Sequence, residues 1–218
     1  STLAIAAGMY SKLGYDPHEF TPITNIAVVP YVLAVNPHVP AKNVAELVAV
    51  AKTKKNHLSY GSSGTGAVSH LAAEIFKNMS GTDIVHVPYK GTAPALTDVI
   101  AGQIPLGFVA IGAAVPNLKS GKLKILATVD NKPNPFLPDL PTMAEAGLPG
   151  FEVANWFGVI ATGGTPRPII DRLHAEITRI VRVPDVLTRV PKTPHFIEGV
   201  INLRGTVLPV IDQRTRLG

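Results

Sequence analysis

The stretch LSYGSSGTGAVSHLAAEIF, residues 58–76, decides the fold class. Its opening residues follow the pattern of a short buried strand, and a glycine-serine-threonine loop comes directly after them. The residues beyond the loop, 67–78, have the spacing of a helix with Leu71, Ile75 and Met79 facing inward. A strand that passes through a short loop into a helix is the repeating unit of an α/β protein.

The same order of elements recurs along the chain. A helix pattern begins at Asn43, where Glu46 three residues later completes a capping-box motif. Continuous apolar strands separated by helices predict an α/β fold with mainly parallel sheets covered by helices on both faces. The predicted strands are 58–61, 84–87, 104–109 and 123–129, and the further predicted helices are 93–101 and 114–119.

The flanking segments have a different character. Residues 131–150 contain five prolines and two glycines, which suits a surface connection. Another buried-strand pattern follows at 151–161, and a long amphipathic helix begins near Thr165. Residues 22–35 are also apolar and strand-like. We interpret 28–35 and 151–161 as the two crossings between separate lobes.

The composition is that of a globular protein. Of its 218 residues, 46% are hydrophobic and 16% are charged, which argues against intrinsic disorder, and no apolar run is as long as a membrane span. The absence of cysteine excludes disulfides, thiolate metal sites and cysteine nucleophiles. The net charge of +5 attracts small anions. The basic residues form no stripe with interleaved aromatics, so no nucleic-acid partner is expected.

Two predicted strand ends carry polar, glycine-containing loops. In a parallel sheet, ligands bind outside the carboxyl ends of the strands, where loops lead into helix N-termini. Glycine lets the main chain approach a ligand closely, and the free amides of a helix's first turn favour an anion. The loops therefore predict a carboxylate-binding site, and an ordinary tight connection capped by Ser or Thr is the alternative. The candidate ligand-binding residues are Ser62, Ser63, Gly64, Thr65 and Gly66 in the first loop, and Tyr89, Lys90, Gly91 and Thr92 in the second.

Other chemistries find little support in the motifs. The first loop lacks the lysine-serine/threonine ending of a P-loop, and its glycines lack the dinucleotide-binding spacing. His70 and Glu74 share a helix face at metal-ligand spacing, but no third ligand lies nearby in sequence, so a surface pair is favoured. Ser63 has no GxSxG elbow, and His86 has no obvious acid partner. We predict no catalytic residue, no metal and no cofactor, and we do not expect an enzyme.

Five motifs, taken in order, resemble the Bug family, the TctC-like extracytoplasmic solute-binding proteins of tripartite tricarboxylate transporters. They are LSYGSSGTGAVSHLAAEIF, DIVHVPYKGTAPALTDVIAGQI, LKSGKLKILATV, LPDLPTMAEAGLPGFEVANWFGV and GTPRPIIDRLHAEI. The resemblance covers about residues 1–186. It implies a periplasmic-binding-protein-like architecture of two lobes that close on a small carboxylate. It also implies a periplasmic location, membrane transporter subunits as partners, and uptake of a mono-, di- or tricarboxylate or an acidic amino acid.

The resemblance also suggests a domain assignment. Residues 1–31 and 153–190 correspond to part of the first lobe, and 32–152 to the second α/β lobe. The PFxPGG-type ligand loop of the family is absent, so we expect an incomplete first lobe and weak ligand binding, on the order of millimolar or worse. Ser1 and Thr2 are interpreted as the stub of a second ligand loop from that lobe. The signal peptide of an exported protein is not in this chain.

The C-terminal segment resembles a different family. Residues 191–218, PKTPHFIEGVINLRGTVLPVIDQRTRLG, are similar to the FIxGVINLRGxVxPVIDLRxRxG stretch of CheW-type chemotaxis coupling proteins. The pattern predicts a β-hairpin with strands at 200–203 and 207–211, joined at Arg204-Gly205. The alternative function is therefore an interaction module with chemotaxis partners. Coupling proteins work in the cytoplasm, whereas the binding lobe implies the periplasm, so this alternative is the less favoured one.

Overall fold

The computed structural model describes residues 2–53, 58–135, 137–182, 197–203 and 206–211. The helices are α1 (Thr2–Met9), α2 (Val44–Lys52), α3 (Val68–Ser80), α4 (Thr92–Ala101), α5 (Ile111–Lys119) and α6 (Arg167–Val181), with a short 3₁₀ turn at Pro17–Glu19. The strands are β1 (Phe20–Val29), β2 (Tyr31–Val35), β3 (Ser59–Ser62), β4 (Val85–Pro88), β5 (Leu106–Ala110), β6 (Lys124–Thr128), β7 (Asn155–Thr162), β8 (Ile197–Leu203) and β9 (Thr206–Ile211).

The chain forms two compact units. One comprises residues 30–154, and the other comprises residues 1–29 together with the chain from 155 onward. The predicted lobe boundaries at 31/32 and 152/153 stay predictions, as does the separate assignment of 191–218.

The unit of residues 30–154 is built on a five-stranded sheet with the order β4-β3-β5-β2-β6. Strand β3 pairs in parallel with β4 and β5, whereas β2 is antiparallel to β5 and β6. Strands β3 to β6 therefore all run in one direction, and β2 alone opposes them. The α/β class is confirmed, and the four strands predicted at 58–61, 84–87, 104–109 and 123–129 share one direction as expected. Strand β2 makes the sheet mixed.

Strand β2 lies at the centre of this unit's core. Val32, Leu33, Ala34 and Val35 have no exposed surface, as expected for a strand with both faces covered. On one face, Val32 belongs to an apolar cluster that includes residues of α4 and α5. On the other face, the rings of Phe76, Phe108 and Phe151 follow one another from α3 to β5 to the segment before β7, at centroid distances of 6.0 and 6.3 Å. Helices thus cover both faces of the sheet.

The capping-box prediction at α2 is confirmed. Asn43 accepts a hydrogen bond from the Glu46 amide at 2.8 Å, and the Glu46 carboxylate accepts one from the amide of Lys42 at 2.7 Å. These bonds satisfy two main-chain amides at the helix start, so the helix begins where the motif places it.

The predicted inward face of α3 is wrong. Met79 is 38% exposed, and Leu71 and Ile75 are only half-buried. The buried face is instead formed by Val68, Ser69, Ala72, Ala73, Phe76 and Ser80. Small alanines let the helix backbone approach the sheet closely, so the larger aliphatic side chains lie on the flank. Hydrophobicity alone favoured the larger residues, which is why the sequence pattern selected the neighbouring face.

The second unit has a smaller core. Strands β1 and β7 pair antiparallel, and α6 packs on β1 through buried Ile170 and a hydrogen bond from the His174 ring to the Ile23 carbonyl at 2.9 Å. The predicted amphipathic helix is present, yet Ile169 and Leu173 on its apolar face are 50% and 39% exposed. The predicted C-terminal hairpin is also present as the antiparallel pair β8–β9, and its turn lies outside the described residues.

Among the helices that the structure describes, none combines the length and the apolar character needed to cross a bilayer.

A buried asparagine ties the end of α4 to the loop after β2. The Asn36 amide nitrogen donates to the carbonyls of Val99 and Ile100 at 2.8 and 3.2 Å, and its side-chain oxygen accepts from the amide of His38 at 2.9 Å. Asn36 is 3% exposed, so water cannot readily replace these bonds.

We expect Asn36→Ala to lower the free energy of unfolding by about 2 kcal/mol, because the Ile100 carbonyl loses the Asn36 donor, the Val99 carbonyl keeps only the Gly102 amide, and the buried His38 contact is lost. Urea unfolding followed by circular dichroism measures the change. The matched control is Asn78→Ala at an exposed position of α3, which is expected to change stability by less than about 0.5 kcal/mol. Equal stabilities for the two variants would contradict this account of Asn36.

Candidate functional site

The candidate site lies at one edge of the five-stranded sheet. Because β3, β4 and β5 run in the same direction, their carboxyl ends meet at this edge. The loop after β3 leads into α3, and the loop after β4 leads into α4. Two helix N-termini are thus brought to the carboxyl edge of one sheet, as the sequence predicted.

Main-chain hydrogen bonds join the two loops. The Tyr89 amide donates to the Ser62 carbonyl at 3.0 Å, and the Gly91 amide donates to the Ser63 carbonyl at 3.1 Å. Gly64 has φ +135°, and a Cβ added there would lie 3.4 Å from the Tyr89 carbonyl oxygen. The loops are therefore packed side by side, and a glycine occupies the position with the unusual backbone conformation.

Several amides of the first loop already have partners within the loop's own surroundings. The Ser63 amide donates to the Ser69 hydroxyl at 2.9 Å, and the Gly64 amide to the Ser62 hydroxyl at 3.1 Å. The Gly66 amide donates to Nδ1 of His70 at 3.2 Å. These bonds fix the shape of the loop and remove three amides from those that could bind a ligand.

A second set of amides has no hydrogen-bond partner among the described residues. In the first loop and the first turn of α3 these are the amides of Thr65, Val68, Ser69 and His70. In the second loop and the first turn of α4 they are the amides of Lys90, Thr92 and Ala93. First-turn amides cannot bond within their own helix, and they carry the positive end of its dipole. The edge therefore presents donors to an anion.

Most of the predicted side-chain donors are already engaged. The Ser62 hydroxyl lies 2.6 Å from Nε2 of His86, and the Ser63 hydroxyl lies 2.9 Å from that of Ser69. The Thr92 hydroxyl hydrogen-bonds to the Tyr31 phenol. The hydroxyls of these site residues support the loops, so the main chain supplies most of the available donors.

The Tyr89 phenol and the Lys90 ammonium differ in availability. The phenol donates to Oδ2 of Asp98 on α4 at 2.6 Å. Burial and the bond to the Asp98 carboxylate together raise the pKa of Tyr89 to about 12. Lys90 is exposed and forms none of the ion pairs found among the described residues. It adds a mobile positive charge beside the amides.

A cluster of polar side chains on α3, β3 and β4 supports the first loop. The Tyr60 phenol donates to Glu74 at 2.6 Å, and Lys77 forms an ion pair with the same carboxylate at 3.0 Å. The His86 ring stacks on Tyr60 at a centroid distance of 4.9 Å and on the His70 ring at 4.1 Å. Helix α3 and strands β3 and β4 each contribute to this cluster, which we call the histidine stack.

The surroundings of the stack shift the pKa values of its members. Burial lowers the pKa of His86 below its ordinary value of 6.5, and the nearby His70 lowers it further. Burial acts to raise the pKa of Glu74, but hydrogen bonds from Tyr60 and Lys77 outweigh it and the net direction is downward. Burial raises the pKa of Tyr60, and its bond to Glu74 adds to the effect. The cluster therefore favours neutral His86 and ionised Glu74.

One interpretation from the sequence needs correction. His70 and Glu74 do not form a fully solvated surface pair, because His70 lies half-buried against the Tyr60 and His86 rings and Glu74 accepts the Tyr60 phenol, although 41% of the Glu74 side chain stays exposed. The hydrogen-bond partner of His86 is the Ser62 hydroxyl, which is not an acid and lies two residues beyond Tyr60, the residue that pairs with His86. Parallel register between strands joined through a helix is not visible in a sequence, so the motif analysis missed this contact.

The contact between Ser62 and His86 does not have the properties of a nucleophile and its base. Ser62 is 1% exposed, and its hydroxyl oxygen also accepts the Gly64 amide. A substrate could not reach this oxygen without displacing the loop. The contact is a support of the loop. Within the part of the chain that the structure describes, no group of three or more His, Asp or Glu side chains is placed to hold a metal ion.

Two predicted site residues cannot be placed with the loops. Ser1 lies outside the described residues, and Thr2 begins α1 in the other unit. Their assignment as a second ligand loop stays a prediction.

A separate concave region of about 320 Å³ lies at the C-terminal end of α3. Its lining is mostly apolar and includes no charged side chain; the lining residues are Val44, Ala45, Val48, Met79, Ser80, Ala146, Gly147 and Leu148. It offers an anion no charged side chain, and it does not include the two loops.

Comparison with known proteins gives a consistent picture for most of the chain. The family model described as "Tripartite tricarboxylate transporter family receptor", TctC, matches residues 1–193. An R. palustris protein solved with adipate is 43% identical, with a TM-score of 0.70 over 77% of this chain and 56% of that one. MatC from Rhodopseudomonas palustris, solved with malate, is 33% identical, with a TM-score of 0.73 over 82% of this chain and 61% of that one.

Other relatives belong to the same group. The periplasmic binding protein BugD is 34% identical, with a TM-score of 0.75 over 84% of this chain and 61% of that one. A UPF0065 protein from the tcbD-tcbE intergenic region of Pseudomonas sp. strain P51 is 34% identical over 85% of this chain and 56% of that protein. The chain thus spans about half the length of that curated relative. The structural relatives are solute-binding proteins and not enzymes.

The C-terminal segment matches a second family. The CheW-like domain model covers residues 174–218, and a stretch of 36 residues is 50% identical to the chemotaxis protein CheW of Klebsiella aerogenes. This stretch is 16% of the chain and 22% of that protein, so it supports the resemblance but no chemotaxis partner.

The receptor model covers most of the 218 residues, and the solved relatives share the fold at substantial identity. The chain therefore belongs to the TctC family of tripartite tricarboxylate transporter receptors.

Proposed function

We propose that this protein binds a small carboxylate for uptake through a tripartite tricarboxylate-type transporter, and that the loops 62–66 and 89–92 hold the carboxylate group. The observation that carries the proposal is a set of amides at the N-termini of α3 and α4 that have no partner among the described residues, on loops joined by main-chain hydrogen bonds.

The chemistry of these donors suits a carboxylate. Main-chain amides are fixed in direction, and a carboxylate can accept several of them at once. The dipoles of α3 and α4 add favourable potential within their first turns, where the loops lie. Exposed Lys90 contributes a positive charge that attracts an acid over a longer range. A neutral ligand would gain neither the charge–dipole attraction of α3 and α4 nor the charge–charge attraction of Lys90.

The relatives support a dicarboxylate as the first ligand to test. Two solved members of the group were obtained with adipate and with malate. Both are small acids with two carboxylates, so one carboxylate would occupy the loops and the remainder of the ligand would decide specificity.

The family also supports the cellular setting of the proposal. Its description names a transporter receptor, and one solved relative is a periplasmic binding protein. We propose that this protein acts in the periplasm and delivers its ligand to membrane subunits of the transporter. A periplasmic location and delivery to a membrane transporter are both consistent with a role in uptake.

Calorimetric titration with adipate and with malate tests the proposal. Four hydrogen bonds to a carboxylate, each worth about 1 kcal/mol net, correspond to a Kd on the order of 1 mM, and we expect at least one of the two acids to bind in that range or more tightly. Adipamide is the control, because it keeps the length of adipate but carries no charge. Equal heats for adipate and adipamide, or no binding of either acid, would contradict the proposal.

Gly64→Ala tests the role of the loops directly. The substitution places a Cβ at a positive φ and 3.4 Å from the Tyr89 carbonyl, so it strains the loop at its contact with the second loop. We expect adipate binding to weaken by about ten-fold or more, since misplacing the amides costs more than one hydrogen bond.

The matched control for that variant is Gly150→Ala. Gly150 also has a positive φ, +83°, but an added Cβ there meets nothing within 4 Å. Both substitutions carry a similar backbone cost of about 1 kcal/mol in stability. Binding that falls equally in both variants would show that the loss comes from stability and not from the loop.

A further inference from the structure

We propose that His70 and His86 are positioning residues for the ligand loop, and that they hold residues 62–66 in the binding shape only while His70 is uncharged. This inference rests on the proposed function of that loop. It makes the histidine stack a pH-sensitive support: acid releases the loop and weakens carboxylate binding.

The key contact is the one between Gly66 and His70. The Gly66 amide can only donate, and it donates to Nδ1 of His70 at 3.2 Å. Nδ1 must therefore carry no proton in this structure. A protonated imidazole is a donor at both nitrogens, so the addition of a proton at Nδ1 removes the acceptor and places two N–H groups against each other. Gly66 is buried, so the contact is partly shielded from water.

His86 supports the same loop through Ser62. Its Nε2 lies 2.6 Å from the Ser62 hydroxyl, and that hydroxyl accepts the Gly64 amide at 3.1 Å. The two rings stack at 4.1 Å, with an angle of 19° between their planes. The Gly64 amide thus depends on His86 through Ser62, and the Gly66 amide depends on His70. The two rings stack on each other.

The other charged groups around the stack act in both directions. From β3, the Tyr60 phenol faces the rings, and its hydrogen bond is given to Glu74. From α3, the Glu74 carboxylate favours a positive charge on the rings, whereas Lys77, which is paired with it at 3.0 Å, opposes one on His86. A charge on one ring also disfavours a charge on the other.

The direction of the pH effect follows from these contacts. A proton at Nδ1 of His70 breaks the bond from the Gly66 amide, so the released loop takes up that proton more readily than the structured one. The lowered pKa of His86 has the same sign: its support of Ser62 is present above the ordinary value of 6.5 and is lost as the pH falls through the lowered value. A protonated histidine near an acid would by itself attract the ligand more strongly. The two effects have opposite signs, and the experiment below separates them.

The first measurement needs no ligand. The full chain, labelled with ¹⁵N in glycine and histidine, is titrated from about pH 8 to about pH 5, the range in which histidine changes its charge. We expect the Gly66 amide signal to shift or broaden, and the ¹⁵N shift of His70 Nδ1 to change with the same midpoint. Gly66 signals that stay constant while His70 takes up its proton would overturn the proposal, and this readout requires no variant.

His70→Asn provides the second test. The Asn side-chain oxygen occupies the position of Nδ1 and can accept the Gly66 amide at every pH, so we expect the Gly66 signal to lose its pH dependence. His18→Asn is the matched control, because His18 is exposed in the other unit and is expected to leave the titration unchanged. A His70→Asn protein whose Gly66 signal titrates like that of the original chain would overturn the proposal.

The last measurement connects the loop to the ligand. We expect the Kd for adipate to rise by about five-fold between pH 8 and pH 5 in the original chain, as for the loss of one hydrogen bond, and to stay within about two-fold in His70→Asn. Tighter adipate binding at the lower pH in the original chain would overturn the proposal. If adipate fails to bind at any pH, the proposed function fails, while the glycine titration still decides the positioning role of His70.

Discussion

The candidate site depends on two main-chain hydrogen bonds that extend the β3–β4 pairing beyond the ends of the strands. The bonds from Tyr89 to the Ser62 carbonyl and from Gly91 to the Ser63 carbonyl bring two loops into contact before either enters its helix. Main-chain bonds of this kind do not depend on side-chain identity, but they require the chain at Gly64 to pass close to the Tyr89 carbonyl. Everything else at this edge of the sheet follows from that close approach.

This arrangement separates supporting groups from groups that remain available. The hydroxyls of Ser62 and Ser63, and the phenol of Tyr89, bond to neighbouring side chains and hold the loops in place. The first-turn amides of α3 and α4 have no partner among the described residues and point to an anion as the ligand class. A site built from main-chain donors recognises a carboxylate while leaving the rest of the ligand to other surfaces, which is consistent with relatives solved with different acids.

The sequence predicted the parts of the structure that depend on local patterns. It predicted the alternating elements, the capping box at Asn43, and the two loops at one edge of the sheet, because turn residues and apolar runs are local signals. It did not predict that β2 opposes its neighbours, that α3 turns alanines toward the sheet, or that His86 bonds to Ser62. Those features depend on pairing and packing between segments far apart in the chain.

The most direct test of the account is a map of the main-chain amides that respond to a carboxylate. In ¹⁵N-labelled protein titrated with adipate, we expect the largest shifts at Thr65, at the first turn of α3, and at Lys90 and the first turn of α4. The amides of Ser63 and Gly66 should respond less, because they already donate to side chains. Shifts that concentrate away from both helix N-termini, with these amides unchanged at saturation, would contradict the claim that main-chain donors form the site.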